Sequence, residues 1–219
     1  TAVERFMKRY FLAAKEVGAL TRILCAKLEV EEKKRPGGRI RLLAGSAKPL
    51  KEEGFVIDSG RLNITDPEMF VADTRKLMRL FWLANERQID IHPEALTAAR
   101  RSLWALTRQA RNDEESREMF LDIIAGRNHS GIVLPLMNEA GVLGRFVPEF
   151  GRIVGQTQFN MYHHFTVDEH TLKAVETIHD IERGTEGKLH PLSTELFPKI
   201  QNRRALYLAM LLHDTGKGK

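Results

Sequence analysis

Apolar residues recur every three or four positions along most of this chain, which is the spacing of an amphipathic α-helix. The first such segment runs from Val3 to about Glu32 and predicts one long helix. Shorter helical segments follow residue 65, and several carry a capping residue or a proline at their start. These start signals are Asp66 with Pro67, His92 with Pro93, and Asn112 with Glu115. Stop signals are Gly126, Gly141 and Gly184, where we expect left-handed residues that close a helix.

One short segment departs from the helical pattern. Residues 54–64 read GFVIDSGRLNI, which predicts two short strands around a turn at Asp58, Ser59 and Gly60. The residues RIRLL at 39–43 could add a third strand. The predicted fold class is therefore mainly α, a helical domain with a small β-hairpin excursion.

A glycine- and polar-rich passage, GRIVGQTQFNMYHHF, lacks helical periodicity and predicts a linker that ends near Phe165. We expect a helical domain over residues 1–165 and the beginning of a second one over residues 166–219. Thr166 and Glu169 form a capping-box sequence at the start of the next helix. The last apolar helix, RALYLAMLLHD, is followed by the glycine-containing TGKGK.

The composition is that of an ordinary globular protein, with 42% hydrophobic and 29% charged residues in a chain of 219. The net charge of +5 favours anionic partners. The basic residues are not interleaved with aromatic ones, so we expect no nucleic-acid partner. No long apolar run or secretion signal is visible, and a single cysteine, Cys25, fits a reducing compartment; these features predict a cytoplasmic protein without membrane contact. We expect Cys25 to be a small buried hydrophobe.

The chemistry-bearing residues lie near the end of the chain. His213 and Asp214 finish the last apolar helix, where an imidazole and a carboxylate can face one site. Nitrogen and carboxylate donors together suit Mn, Fe, Zn or Mg, and an ion with open positions activates water against a phosphate ester. His170, near the start of an earlier helix, can supply a third ligand if the two helices return antiparallel.

Other residues receive simpler interpretations. A second dipeptide, His179-Asp180, lies in mid-helix without a following glycine and lysine, and we predict that it faces solvent. His129 is interpreted as a loop residue. Trp104 is assigned to a core stripe because it lies among aliphatic residues at helical spacing. Lys217 is positioned to neutralise a phosphate oxygen, although a lysine of an exposed tail would look the same.

The segment that begins at His170, HTLKAV, together with LLHDTGK resembles the HD superfamily of metal-dependent phosphohydrolases. The longer stretch GRIVGQTQFNMYHHFTVDEHTLKAV, together with GFVIDSGRLNIT and LMNEAGVLGRFVPEFG, resembles the bacterial PII uridylyltransferase and uridylyl-removing enzymes. That resemblance extends over nearly the whole chain. It identifies residues 166–219 as the first helices of an HD domain. His163, which matches the family stretch, and His164 lie in the linker before it, and we expect them to support the site rather than to bind the metal.

The resemblance implies an enzyme that transfers UMP from UTP to the PII signal protein, removes it by hydrolysis and responds to glutamine in nitrogen regulation. It implies a divalent metal, Mg²⁺ or Mn²⁺ foremost, on His170, His213 and Asp214, with His213, Asp214 and Lys217 as catalytic residues. The transferase motif and the last metal-binding aspartate of the HD pattern are not found in this sequence, so we expect an internal fragment without activity of its own. The alternatives are a stand-alone HD nucleotide phosphohydrolase and a non-catalytic helical docking module.

Overall fold

Helices make up most of the chain in the computed structural model, which describes residues 2–34, 47–129, 131–157 and 165–218. This confirms the prediction of a mainly α-helical fold. Three short 3-10 helices occupy Leu103–Ala105, Phe197–Lys199 and Thr215–Gly218. The α-helices are α1 (Ala2–Lys34), α2 (Met69–Ala72), α3 (Arg75–Arg87), α4 (Pro93–Arg101), α5 (Arg108–Asn112), α6 (Glu114–Ala125), α7 (Val133–Glu139), α8 (Val142–Phe146), α9 (Pro148–Ile153), α10 (Val167–Arg183), α11 (Pro191–Leu196) and α12 (Arg203–Leu212).

The predicted hairpin is present. Strands β2 (Phe55–Asp58) and β3 (Arg61–Ile64) pair antiparallel around a turn in which Ser59 and Gly60 have positive φ angles of 52° and 81°. The third strand is β1 (Lys48–Pro49), which pairs with β2. The predicted strand at 39–43 lies outside the described residues.

The hydrophobic core is formed mainly by α3, α6, α7, α8 and α9, with the hairpin on one side. Phe70, Phe81 and Phe150 are fully buried in it. Trp104 was assigned to this core, and that prediction is wrong, because its side chain is 65% exposed. Helix α4 ends at Arg101, and the tighter 3-10 turn that follows changes the periodicity on which the assignment depended.

Most predicted helix ends occur where the capping residues indicated. His92 caps α4 by accepting from the backbone N–H of Glu94 at 3.3 Å, and Gly141 and Gly184 are left-handed with φ angles of 78° and 76°. Two details differ. Asp113 rather than Asn112 caps α6, since its carboxylate accepts from the N–H of Ser116 at 2.8 Å. Gly126 ends α6 with φ of −68°, so it is not left-handed.

Helices α8 and α9 approach each other at a pair of glycines. A Cβ built on Gly151 would lie 2.6 Å from the carbonyl oxygen of Gly144, which is closer than real contacts allow. Helix α9 in turn packs against the 3-10 helix Thr215–Gly218. The absence of side chains at these two glycines therefore helps to set the position of the chain that follows Asp214.

Helices α10 and α12 pack on the same body, α10 against α7 and α9, and α12 against α6 and α9. Val167, Val175, Tyr207 and Leu211 join the buried cluster. The proposed domain boundary near Phe165 stays a prediction, and residues 158–164, with His163 and His164, lie outside the described residues. Among the helices of the described ranges, none has the length and apolar composition needed to cross a membrane.

Candidate metal centre

Helices α10 and α12 run antiparallel. Side chains of the two helices contact each other at both ends of this helix pair. Near the start of α10 the ring of His170 lies 5.9 Å from the ring of His213. Two turns farther along α10, His179 contacts Tyr207 of α12. The sequence analysis predicted this antiparallel arrangement, which brings His170 close to His213.

The three predicted ligands form one group. Donor atoms of His170, His213 and Asp214 all lie within 4.8 Å of one another, and His213 Nε2 is 3.5 Å from Asp214 Oδ1. Two bonds of about 2.1 Å to one ion would allow about 4.2 Å between ligand atoms, so the group needs only a small contraction to close on a cation. No other group of three such residues occurs within the described part of the chain.

Local structure orients these donors. The Nδ1 of His213 lies 2.6 Å from the carbonyl oxygen of Met210, and because a carbonyl only accepts, Nδ1 carries the proton. The neutral ring then keeps a lone pair on Nε2, which is the form that ligates metals. Asp214 is buried and His170 and His213 are exposed, so the group lies at the surface with one carboxylate inside it. Two imidazoles and a carboxylate suit a divalent cation and leave further positions open.

The start of α10 is fixed by Asp168, two residues before His170. Its carboxylate accepts from Lys15 of α1, from Asn138 of α7 at 2.7 Å and from the N–H of Gly155 at 3.0 Å. Burial raises the pKa of Asp168, but the charge and hydrogen bond of Lys15, together with hydrogen bonds from Asn138 and Thr166, hold the pKa below its usual value. The predicted capping box of Thr166 and Glu169 is also present. Four segments of the fold therefore meet beside His170, the first of the predicted ligands.

The other end of the helix pair contains a polar cluster, which we call the clamp and define as buried His179 and Tyr207 with half-buried Glu182 and Arg203. The hydroxyl of Tyr207 lies 3.0 Å from His179 Nδ1 and donates to Glu182 at 2.7 Å. Arg203 forms two hydrogen bonds of 2.5 Å to Glu182 and lies over the Tyr207 ring. The prediction that His179 faces solvent is wrong, since it is 2% exposed.

The position of His179 on α10 explains the error. It falls on the same helix face as Val175, which packs into the core, and its Nε2 donates to the carbonyl of Ile124 in α6 at 3.0 Å. Asp180, the other half of the dipeptide, turns outward to Arg183 and Thr185. Burial lowers the pKa of His179 to about 3, so the ring is neutral and packs as a core residue. Burial also raises the pKa of the Tyr207 hydroxyl.

His129 was interpreted as a loop residue, and it does lie in a loop, but it is buried. Its ring stacks on His179 with 3.7 Å between centroids, and Nε2 lies 2.9 Å from Glu176. The hydrogen bond from His129 lowers the pKa of Glu176. Sequence patterns gave little signal for this cluster, because His129 lies 47 or more residues away from its partners on α10. Val175 and His179 are four residues apart and therefore lie on one face of α10, and this spacing was the only sequence feature that indicated the burial of His179.

Two further predictions from the sequence concern Lys217 and Cys25. Lys217 belongs to the 3-10 helix that follows Asp214, but its side chain lies outside the described residues, so its predicted role stays a prediction. Cys25 is exposed on α1, and its assignment as a buried hydrophobe is wrong.

Comparison with known proteins shows which enzymes the chain resembles. A family model described as the third domain of the uridylyltransferase GlnD matches residues 55–146. A bifunctional uridylyltransferase/uridylyl-removing enzyme of Caulobacter vibrioides is 56% identical over 99% of this chain, and one of Phenylobacterium zucineum is 55% identical over the same share. The chain is similar to these enzymes over nearly its whole length. The corresponding enzyme of Azospirillum brasilense is 50% identical over 99% of the chain.

The similarity to the uridylyltransferase/uridylyl-removing enzymes covers one part of each relative. The chain spans about a quarter of their length, 24% of the two first relatives and 23% of the third. No solved structure matches the chain. The family-model match lies in the hairpin and the helices that follow it, upstream of the group formed by His170, His213 and Asp214.

Proposed function

We propose that this chain contributes to the uridylyl-removing site of a bifunctional enzyme, with His170, His213 and Asp214 as ligands of a divalent cation, Mg²⁺ or Mn²⁺. The observation that carries the proposal is the convergence of these three donors from two helices within 4.8 Å. Relatives that match 99% of the chain are named bifunctional uridylyltransferase/uridylyl-removing enzymes, and uridylyl removal is the reaction that we assign to this group.

The reaction is hydrolysis of the phosphodiester that joins UMP to a tyrosine of the PII signal protein. A bound divalent cation would lower the pKa of a water molecule and offset the charge of the phosphate oxygens. The chain's own contribution is to hold the ligands: Asp214 is buried, and the Met210 carbonyl fixes the tautomer of His213. Lys217, next to this group in sequence, would offset charge on a phosphate oxygen.

The wider activity belongs to the whole enzyme. We infer that it acts in the cytoplasm, transfers UMP from UTP to PII, removes it again and responds to glutamine. The first 165 residues then form a helical region beside an HD-type domain that begins near residue 166. A stand-alone phosphohydrolase and a non-catalytic docking module have less support, because the family match is not confined to the segment with the ligands.

The test uses the full-length enzyme with uridylylated PII. His213→Ala and Asp214→Asn should abolish metal-dependent release of UMP while transfer of UMP from UTP continues. The matched control is His190→Ala, which removes an exposed histidine from the connection between α10 and α12. UMP release that is unchanged in His213→Ala would overturn the assignment, and loss of both activities in every variant would indicate unfolding, which circular dichroism detects.

A further inference from the structure

Lys15 of α1 supplies the countercharge of a buried carboxylate at the start of α10. The side chain of Asp168 is 0% exposed, and Asn138 and the N–H of Gly155, which also donate to it, are neutral. Within the described residues Lys15 is the one cation that contacts Asp168, from 153 positions earlier in the sequence. A buried charge is costly unless an opposite charge and hydrogen bonds compensate it, so the position of Asp168 depends on this contact.

Asp168 lies in the helical turn that carries His170. The N–H of His170 donates to the carbonyl of Thr166 at 2.9 Å, and Asp168 lies inside the turn that this hydrogen bond closes. A displacement of Asp168 therefore displaces His170. Functional side chains must be held to within about 0.5 Å of their working positions. Because the donor atoms of His170, His213 and Asp214 need only a small contraction to close on an ion, a small shift of this turn would be enough to separate them.

The ion pair links α1 to α10 at a place where the two helices are not closely packed. A cavity of about 720 Å³ lies beside it, and it is lined by Lys15 and Gly18 of α1 and by Glu169 and Lys173 of α10. Side chains therefore do not fill the space next to the ion pair. The contact between Lys15 and Asp168, rather than apolar packing, connects the two helices here.

Helix α1 presents Lys15 from a fixed position. Lys8 donates to the carbonyl of Arg152 in α9 at 3.0 Å, and Arg22 forms two hydrogen bonds to Glu139 in α7 at 3.0 and 3.1 Å. Lys8 and Arg22 lie about two turns before and two turns after Lys15, so all three side chains lie on one face of α1. Arg22 therefore offers a matched control, because it holds α1 to the body through α7 and not through α10.

We propose that Lys15 is a positioning residue of the metal centre, which acts through Asp168 to hold His170 within reach of the ion. The inference rests on the proposed function, because it takes His170, His213 and Asp214 as the ligands. It adds a connection between the first helix of the chain and the ligand group. Helix α1 influences metal binding without contributing a ligand.

Titration of the 219-residue chain with Mn²⁺, observed through the imidazole NMR signals, tests this role. Lys15→Met should raise the Mn²⁺ concentration that broadens the signals of His170 and His213 by about 10-fold or more, as loss of a residue that supports metal ligands typically does. Lys15→Arg keeps the charge and should restore most of the affinity, and Arg22→Met should leave it unchanged. In the metal-free chain Lys15→Met should shift the signals of His170 and leave those of exposed His190 in place.

A double variant separates positioning from folding. Lys15→Met with Asp168→Asn leaves no buried charge, so it should fold even if Lys15→Met alone does not, and circular dichroism checks this. It should bind Mn²⁺ more tightly than Lys15→Met but less tightly than the wild-type chain, because the link between α1 and α10 is lost.

The outcomes distinguish this inference from the proposed function. Preferential broadening of the His170 and His213 signals that neither Lys15→Met nor the double variant alters would overturn the role of Lys15 and leave the metal centre in place. An equal loss of affinity in Arg22→Met would also overturn it, since any loosening of α1 would then have the same effect. No preferential broadening in the wild-type chain would overturn both proposals.

Discussion

The two His-Asp dipeptides of this chain, His179-Asp180 and His213-Asp214, have the same two residues in the same order and different surroundings. His179 is in the interior of a helix, faces α6 and is 2% exposed. His213 ends a helix, is exposed, and lies beside buried Asp214 and the ring of His170. In the first pair the carboxylate turns away from the histidine, and in the second both groups approach one point.

The difference shows that place in the helix decides what such a dipeptide can do. Successive residues inside an α-helix point about 100° apart, so a mid-helix pair cannot converge on one ion. At a helix end the chain changes direction, and adjacent side chains can approach each other. The clamp end of the α10–α12 pair therefore contributes stability, and the ligand end is free to contribute chemistry. The following predictions separate these two contributions.

The largest effect is expected at the clamp. Tyr207→Ala should lower the free energy of unfolding by about 3–5 kcal/mol, as for other large aromatic residues removed from a core. Tyr207 is fully buried and contacts both His179 and Glu182. Urea denaturation measures the change. His213→Ala, on the same helix, should cost less than about 1 kcal/mol, because the ring is exposed. Equal losses would contradict the division between the two ends.

An intermediate effect is expected where α8 meets α9. Gly151→Ala should destabilise the fold by about 1–3 kcal/mol, since the added methyl group meets the Gly144 carbonyl and overpacking is costly. It should also weaken metal binding, because α9 supports the chain after Asp214. Gly18→Ala is the control, since Gly18 has open space around it in α1. Unchanged metal affinity in a destabilised Gly151→Ala chain would show that α9 does not position the ligand end.

The smallest effect concerns pH. The pKa of His179 is about 3 in the folded chain and 6.5 in its ordinary state, so protonation favours unfolding. The stability given by the neutral ring is complete above pH 6.5 and is lost as the pH falls toward 3. The free energy of unfolding should decrease by up to about 1.4 kcal/mol per pH unit in this window. His179→Gln should remove this part of the slope, measured by urea denaturation at pH 7.5, 6.5 and 5.5. An identical slope in both proteins would exclude His179 as its source.

Local sequence patterns predicted the fold class, the hairpin and most helix starts, because caps, turns and apolar spacing act over a few residues. The convergence of His170, His213 and Asp214 was also predicted, since His170 and His213 lie at helix ends that an antiparallel return brings together. The clamp was missed, because Tyr207 and Arg203 read as ordinary residues of an apolar helix until their partners on α10 are known. Burial of His179 and exposure of Trp104 depend likewise on which neighbours pack against each helix, and that is a property of the tertiary structure.

The central claim is that His170, His213 and Asp214 hold a divalent cation. The most direct test is titration of the 219-residue chain with Mn²⁺ while the imidazole NMR signals are observed, because a bound paramagnetic ion broadens signals close to it. The claim predicts that the signals of His170 and His213 broaden first, before those of His92 and His190, and that Asp214→Asn shifts this effect to higher Mn²⁺ concentration. Equal broadening of all histidine signals, or broadening that Asp214→Asn does not change, would contradict it.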